Sequence, residues 1–200
     1  FDGASNFTSD LSGWDVSNVT DMKYMFKGNI NFDSDISSWD VSNVFDMSSM
    51  FYNCPNFTSD ISEWDVSSVI YMPNMFDLAT SFNGDLSNWN VSNVVVLRGM
   101  FWNAHSFNSD ISSWDVSSVN DMTKVFRMSH SFNQDISDWD VSNVETMHNM
   151  MRGSNFNGDI SSWDVGNVTD MERMFYATPF NQNVSDWNVS NVTNMTGMFQ

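Results

Sequence analysis

Hydrophobic positions change their rhythm within a short stretch of the chain, and that change recurs. In the first instance Trp14 and Val16 flank Asp15 in two-residue alternation, which predicts a short strand. Val19, Met22, Met25 and Phe26 follow at spacings of three, three and one, which place them on one face of a short helix. Between the two lie Ser17 and Asn18, residue types that cap helix N-termini. Asp21 stands three residues after Asn18, where a carboxylate meets the free N–H groups of a first turn. The same cap pattern recurs as Asn43–Asp46, Ser118–Asp121 and Asn167–Asp170. Strand, turn, short helix and loop are thus the predicted elements of one unit.

The unit is repeated eight times. Trp14, Trp39, Trp64, Trp89, Trp114, Trp139, Trp163 and Trp187 are spaced by 25 residues five times and then by 24 twice. Phe7, Phe32, Phe57, Phe82, Phe107, Phe132, Phe156 and Phe180 each precede their Trp by seven. The consensus reads F-N-x-D-I-S-x-W-D-V-S-N-V-x-x-M-x-x-M-F. The two shortened units lose a residue between the M-F pair and the next Phe (Met151 to Phe156, Phe175 to Phe180), so a loop is expected there. A unit this small cannot bury its own apolar face, and stacking copies solves the problem. Residues 1–200 are therefore expected to form one α/β repeat solenoid of the leucine-rich-repeat type, with about 25 residues per turn. Short parallel strands would line one side and short helices the other, and eight turns would span on the order of 40 Å.

At this point the repeat resembles a known family. The runs Phe132–Val144 (F-N-Q-D-I-S-D-W-D-V-S-N-V) and Asn191–Phe199 (N-V-T-N-M-T-G-M-F) are similar to the repeats of BspA-like surface proteins, and the likeness covers the whole chain. The resemblance implies a leucine-rich-repeat-like solenoid, an extracellular or cell-surface setting, and a role in adhesion. It brings no catalytic residues.

Composition narrows the partners. The net charge is −18, from 25 acidic and 7 basic residues, which disfavours nucleic acid and anionic membrane surfaces. Disorder is not expected, because 15% of the residues are aromatic. Cys54 is the single cysteine, so no internal disulfide forms. No apolar run reaches the length of a membrane span and no signal peptide is seen. The chain starts and stops within the pattern, as an excerpt of a longer protein would.

Two rows of carboxylates carry the most chemistry. The first is Asp10, Asp35, Asp60, Asp85, Asp110, Asp135 and Asp159, closed by Asn183. The second is Asp15, Asp40, Asp65, Asp115, Asp140 and Asp164, interrupted by Asn90 and Asn188. Stacking brings like charges about 5 Å apart, which calls for backbone N–H donors, raised carboxyl pKa values, or bound cations such as Ca²⁺. The first row is expected to accept N–H bonds within its turn. The second alternates with Trp and Val and is expected to face outward, as a solvated acidic strip or a Ca²⁺ strip. Neither an EF-hand loop nor a Gly-rich calcium nonapeptide is present.

All seven basic residues (Lys23, Lys27, Arg98, Lys124, Arg127, Arg152 and Arg173) fall on or just after the predicted helix, a polarity that could orient lateral packing between solenoids. His105 and His130 hold equivalent positions in adjacent units but lack a third metal ligand, and His148 lies in another register. No Ser-His-Asp set can be assembled, so no enzymatic activity is expected. Asn-x-Ser/Thr sequons stand at Asn6, Asn18, Asn56, Asn90, Asn167, Asn183, Asn188, Asn191 and Asn194. Ile30, Tyr52, Leu78, Trp102 and Tyr176, near the variable loops, are candidate contact residues.

The expected function is a non-enzymatic spacer and interaction surface binding proteins or glycans at a cell surface. The alternatives are a Ca²⁺-stiffened module and a filament subunit that associates end to end.

Overall fold

The computed structural model describes residues Phe1–Gln200. From Phe7 the chain winds into seven coils of 24 or 25 residues and an eighth of 21, each stacked on the last. Coil 1 is residues 7–31, coil 2 is 32–56, coil 3 is 57–81 and coil 4 is 82–106. Coil 5 is 107–131, coil 6 is 132–155, coil 7 is 156–179 and coil 8 is 180–200.

The α/β solenoid expectation is overturned. No residue is helical, and the only sheet-like pairing is seven isolated parallel bridges, which join one residue of each coil to the next in the order Asp21, Asp46, Tyr71, Val96, Asp121, Thr146, Asp170 and Asn194. These bridges lie inside the segments read as helix. The segments read as strand, such as Trp89–Val91, form none.

Coil 4 shows what replaces both elements. Six β-turns follow one another, closed by N–H to C=O bonds from Trp89 to Leu86, Val94 to Val91, Met100 to Leu97, Trp102 to Gly99, Ala104 to Phe101 and Phe107 to Ala104. Between Leu97 and Ala104 the donors alternate. Met100, Trp102 and Ala104 donate within the coil, while Leu97, Gly99, Phe101 and Asn103 donate to Asp121, Thr123, Val125 and Arg127 of coil 5, at 2.8–3.1 Å. A helix would direct all of these N–H groups four residues back. Here alternate donors satisfy the neighbouring coil, so ordering one coil supports the next.

Two backbone positions per coil make this possible. In coil 4 they are Gly99 (φ 61°) and Asn103 (φ 56°), each the third residue of a turn that needs a positive φ. The predicted caps also find other work. Asn43, Asn93, Asn143, Asn167 and Asn191 donate their side-chain amides to Ser17, Ser67, Ser117, Ser142 and Gly166 of the preceding coil, at 2.6–2.8 Å.

One continuous core of 57 buried residues runs through the stack. The Phe of each M-F pair forms its spine: Phe51, Phe76, Phe101 and Phe126 stack 5.6–5.7 Å apart. A second Phe column packs against it, with Phe101 and Phe107 only 3.7 Å apart. Each interior Trp sends its indole N–H to the carbonyl of residue Ile, or Leu, in the coil before, as Trp114 does to Leu86 at 3.0 Å. Burying a large aromatic of this kind requires such an acceptor. The aromatic and Met stripes are therefore packing, and the polar chemistry lies on what remains outside.

Candidate functional site

Asp15, Asp40, Asp65, Asp115, Asp140 and Asp164 are exposed, one per coil, yet they are not idle charges. Each accepts the backbone N–H two residues ahead through Oδ1, at 3.0–3.1 Å. Asp15, Asp40 and Asp115 also accept the Ser hydroxyl at that position, at 2.6 Å. The first row does the same, with Asp10, Asp35, Asp60, Asp85, Asp110, Asp135 and Asp159 each closing a turn at 2.9–3.0 Å. The rows thus share one structural job, where separate ones were expected. In both, Oδ2 receives no hydrogen bond from the chain.

The Ser42 hydroxyl and then the Ser42 N–H hold the Asp40 carboxyl below its ordinary value, and the Ser67 pair does so for Asp65. Repulsion from the neighbouring Asp is the smallest influence on either. Like-charge crowding is therefore outweighed by local donors. With the folded pKa depressed, the turns contribute fully above the ordinary carboxyl value of 3.8, and the contribution is lost as pH falls through the lower folded one.

No three His, Cys, Asp or Glu side chains are grouped to share an ion. Asn90 and Asn188 close the same turn through an uncharged oxygen, at 3.2 Å. Asp65→Asn is accordingly expected to melt within about 1 °C of the parent chain, and Asp65→Ala about 2–4 °C lower. Thermal unfolding of both, with millimolar Ca²⁺ and with EDTA, checks this. A parent melting point that drops on chelation, with Asp65→Asn reproducing the drop, would make the row a cation site instead.

The bridge-bearing segments form a different face. All seven basic residues are there, beside most of the exposed aromatic surface. One column, the residue after each M-F pair or its equivalent, reads Lys27, Tyr52, Asp77, Trp102, Arg127, Arg152 and Tyr176 along the stack. The core columns and the Asp rows largely repeat one residue type; this column, like its neighbours on the same face, changes chemistry at nearly every coil. Lys124 and Arg127 lie over the Trp102 ring, both at 4.8 Å, and Arg152 over Tyr176 at 4.9 Å. Lys23 and Lys27 approach Tyr24 at 5.1 and 4.7 Å. Arg98 pairs with Asp121 at 2.5 Å and Arg173 with Glu172 at 2.8 Å. Lys124, Arg127 and Arg152 have no carboxylate within ion-pair distance.

Asp77 had no part in the sequence reading, and it is the outlier of this column. It is 3% exposed, and its Oδ1 is buried without a partner. Burial pushes its pKa up to about 7, against the Asn103 side chain and the charges of Lys124 and Arg127. Its signal in the sequence was its place in the aligned column, a lone acid between Tyr52 and Trp102.

The remaining candidates are simpler. Ile30 is exposed, whereas Tyr52, Leu78, Trp102 and Tyr176 are half-buried on the bridge-bearing face. His105 and His130 do meet: their exposed rings stack 4.8 Å apart, and the His105 pKa is lowered by burial and then by the His130 charge. Cys54 is buried with its thiol pushed up to about 12 by burial, the opposite of an activated nucleophile. No helix is long and apolar enough to cross a membrane.

The model of a family described as "Mycoplasma protein of unknown function, DUF285" matches this chain three times in overlap, at residues 1–66, 38–126 and 97–200. No curated protein and no solved structure matches it significantly.

Proposed function

The chain belongs to that family of Mycoplasma proteins of unknown function, DUF285, and from this premise we propose a non-enzymatic repeat protein that acts at the cell surface as a rigid spacer with a partner-binding face. The observation that carries the reading is the division of labour between faces. The Asp rows are engaged by their own turns, coil after coil, whereas the bridge-bearing face varies its exposed chemistry along a column at fixed pitch. A regular backbone with one variable face is the arrangement by which stacked-repeat proteins recognise partners. The BspA-like character of the Phe132–Val144 motif supports the surface setting and the adhesive role, with protein or glycan partners. The 57-residue core without a gap between coils supports stiffness.

Beads coated with the protein, passed over immobilised host-cell glycans and matrix proteins, test the reading. Retention is expected with the parent chain and with Asp65→Asn, and is expected to be lost with Trp102→Ala combined with Tyr176→Ala. Retention on none of these surfaces, or loss only with the Asp row variant, would overturn it.

A further inference from the structure

Arg127 and Arg152 occupy equivalent positions of coils 5 and 6, and Lys124 stands beside them. None of the three makes an ion pair, although the chain carries 25 acidic residues; the acid that attracts Lys124 and Arg127 is Asp77, which is buried with its pKa pushed up to about 7. Arg127 is crowded as well: its Nε is buried without an acceptor, and its pKa is lowered by burial and then by the Arg152 charge. Trp102 and Tyr176 border the cluster and hold these side chains in place through ring contacts. Such a group of cations is completed by an anion from outside.

The same molecule displays anions at a matching pitch. Two shallow recesses, one coil apart, lie at its first coils. One is lined by Asp10, Asp33 and Asp35, the other by Asp33, Asp35 and Asp60, with no basic residue in either. Asp10, Asp35 and Asp60 spend Oδ1 on their turns and leave Oδ2 free to accept. Because every coil is built alike, two adjacent arginines of one chain are spaced as two adjacent recesses of another.

We propose that Lys124, Arg127 and Arg152 dock a second copy of this chain, with Arg127 and Arg152 entering the recesses around Asp35 and Asp60. This rests on the reading of the bridge-bearing face as a contact surface and gives that face one definite occupant. Donor and acceptor halves lie at different places along each chain, so the contact is heterologous and can propagate side by side. A small anion would neutralise the cations, but only a repeating partner also matches their spacing. Net charges of −18 repel at a distance; at physiological salt that repulsion is screened beyond about 8 Å, which leaves the local contact to decide.

Sedimentation velocity of the 200-residue chain over a hundredfold concentration range tests this. The expected result is concentration-dependent association at 100 mM NaCl that weakens about tenfold by 500 mM. Arg127→Glu with Arg152→Glu should be monomeric, and so should Asp35→Lys with Asp60→Lys. An equimolar mixture of these two variants should associate again, each with a melting curve that shows it folded. A parent chain that stays monomeric throughout, including one that binds a sulfated glycan as a monomer, would overturn the proposal, as would association indifferent to arginine reversal. Bead retention by a monomeric parent would leave the partner-binding reading standing while this one falls.

Discussion

Phe101→Ala is expected to lower the melting temperature by about 10 °C. Phe101 is fully buried at the middle of the stack, with its ring 3.7 Å from Phe107 and 5.7 Å from both Phe76 and Phe126. Truncating a core Phe costs about 3–5 kcal/mol, part transfer energy and part the cavity left behind. For a chain of this size each kcal/mol moves the melting point by about 2–4 °C. The backbone around it resists collapse into the cavity, because Phe101 N–H is bonded to Val125 and its carbonyl closes the turn to Ala104. Phe101→Met should cost far less, since Met151 fills the same spine position in coil 6. Circular dichroism melting gives the size of the effect, and limited proteolysis gives its place, with new cleavage expected between coils 4 and 5 because stability in a stack is nearest-neighbour. A loss below about 3 °C would mean that the spine does not transmit stability from coil to coil.

That spine was legible before any coordinates were. The Phe and Trp rows keep step at 24 or 25 residues, and every inward position they marked in the interior coils is buried. The elements between them were misread, for a physical reason. Leu97, Met100, Phe101 and Ala104 point inward with helical spacing, but a run of overlapping β-turns produces the same spacing. What separates the two is a positive φ at Gly99 and Asn103. Across the coils those positions also hold Tyr24, Lys124, Arg173, Leu78 and Met128, which hide the requirement behind residues seldom found there. The strand reading at Trp89–Val91 failed similarly. Alternation was correct for burial, yet the turns 86–89 and 91–94 on either side leave no room for a ladder, and the indole bond takes its place.

The polar surface divides in the same way. A turn role for the first Asp row followed from Asp chemistry alone, and the structure extends it to the second row, because each has a Ser or Gly N–H two residues ahead. Separation of the basic residues from those rows was visible in the register. Which of them find partners was not: Arg98 and Arg173 pair with Asp121 and Glu172, whereas Lys124, Arg127 and Arg152 have no acid within ion-pair distance.

Asp77 supplies the second large effect. Asp77→Asn is expected to raise the melting temperature by roughly 10 °C at pH 8 and by less than half as much at pH 5. The carboxyl is buried with one oxygen unpartnered, and its folded pKa rises from 3.8 to about 7. A raised carboxyl pKa means that the unfolded chain gives up this proton more readily than the folded one. Its stability contribution is therefore intact below the unfolded value and is lost as pH rises through about 7. The amide keeps the shape and removes the charge, so the gain begins above the unfolded value of 3.8, grows as pH rises and is complete above about 7. Each pKa unit corresponds to about 1.4 kcal/mol, and the folded value of about 7 already sets the attraction of Lys124 and Arg127 against the burial cost, so the expected gain above pH 7 is about 4 kcal/mol. Calorimetric melts of both chains at pH 5, 6.5 and 8 make the comparison. A variant less stable than the parent at pH 8 would show that the ionised Asp77 is an anchor for Arg127 and not a strained group. Equal shifts at all three pH values would assign the effect to packing between Tyr52 and Trp102, with no titration behind it.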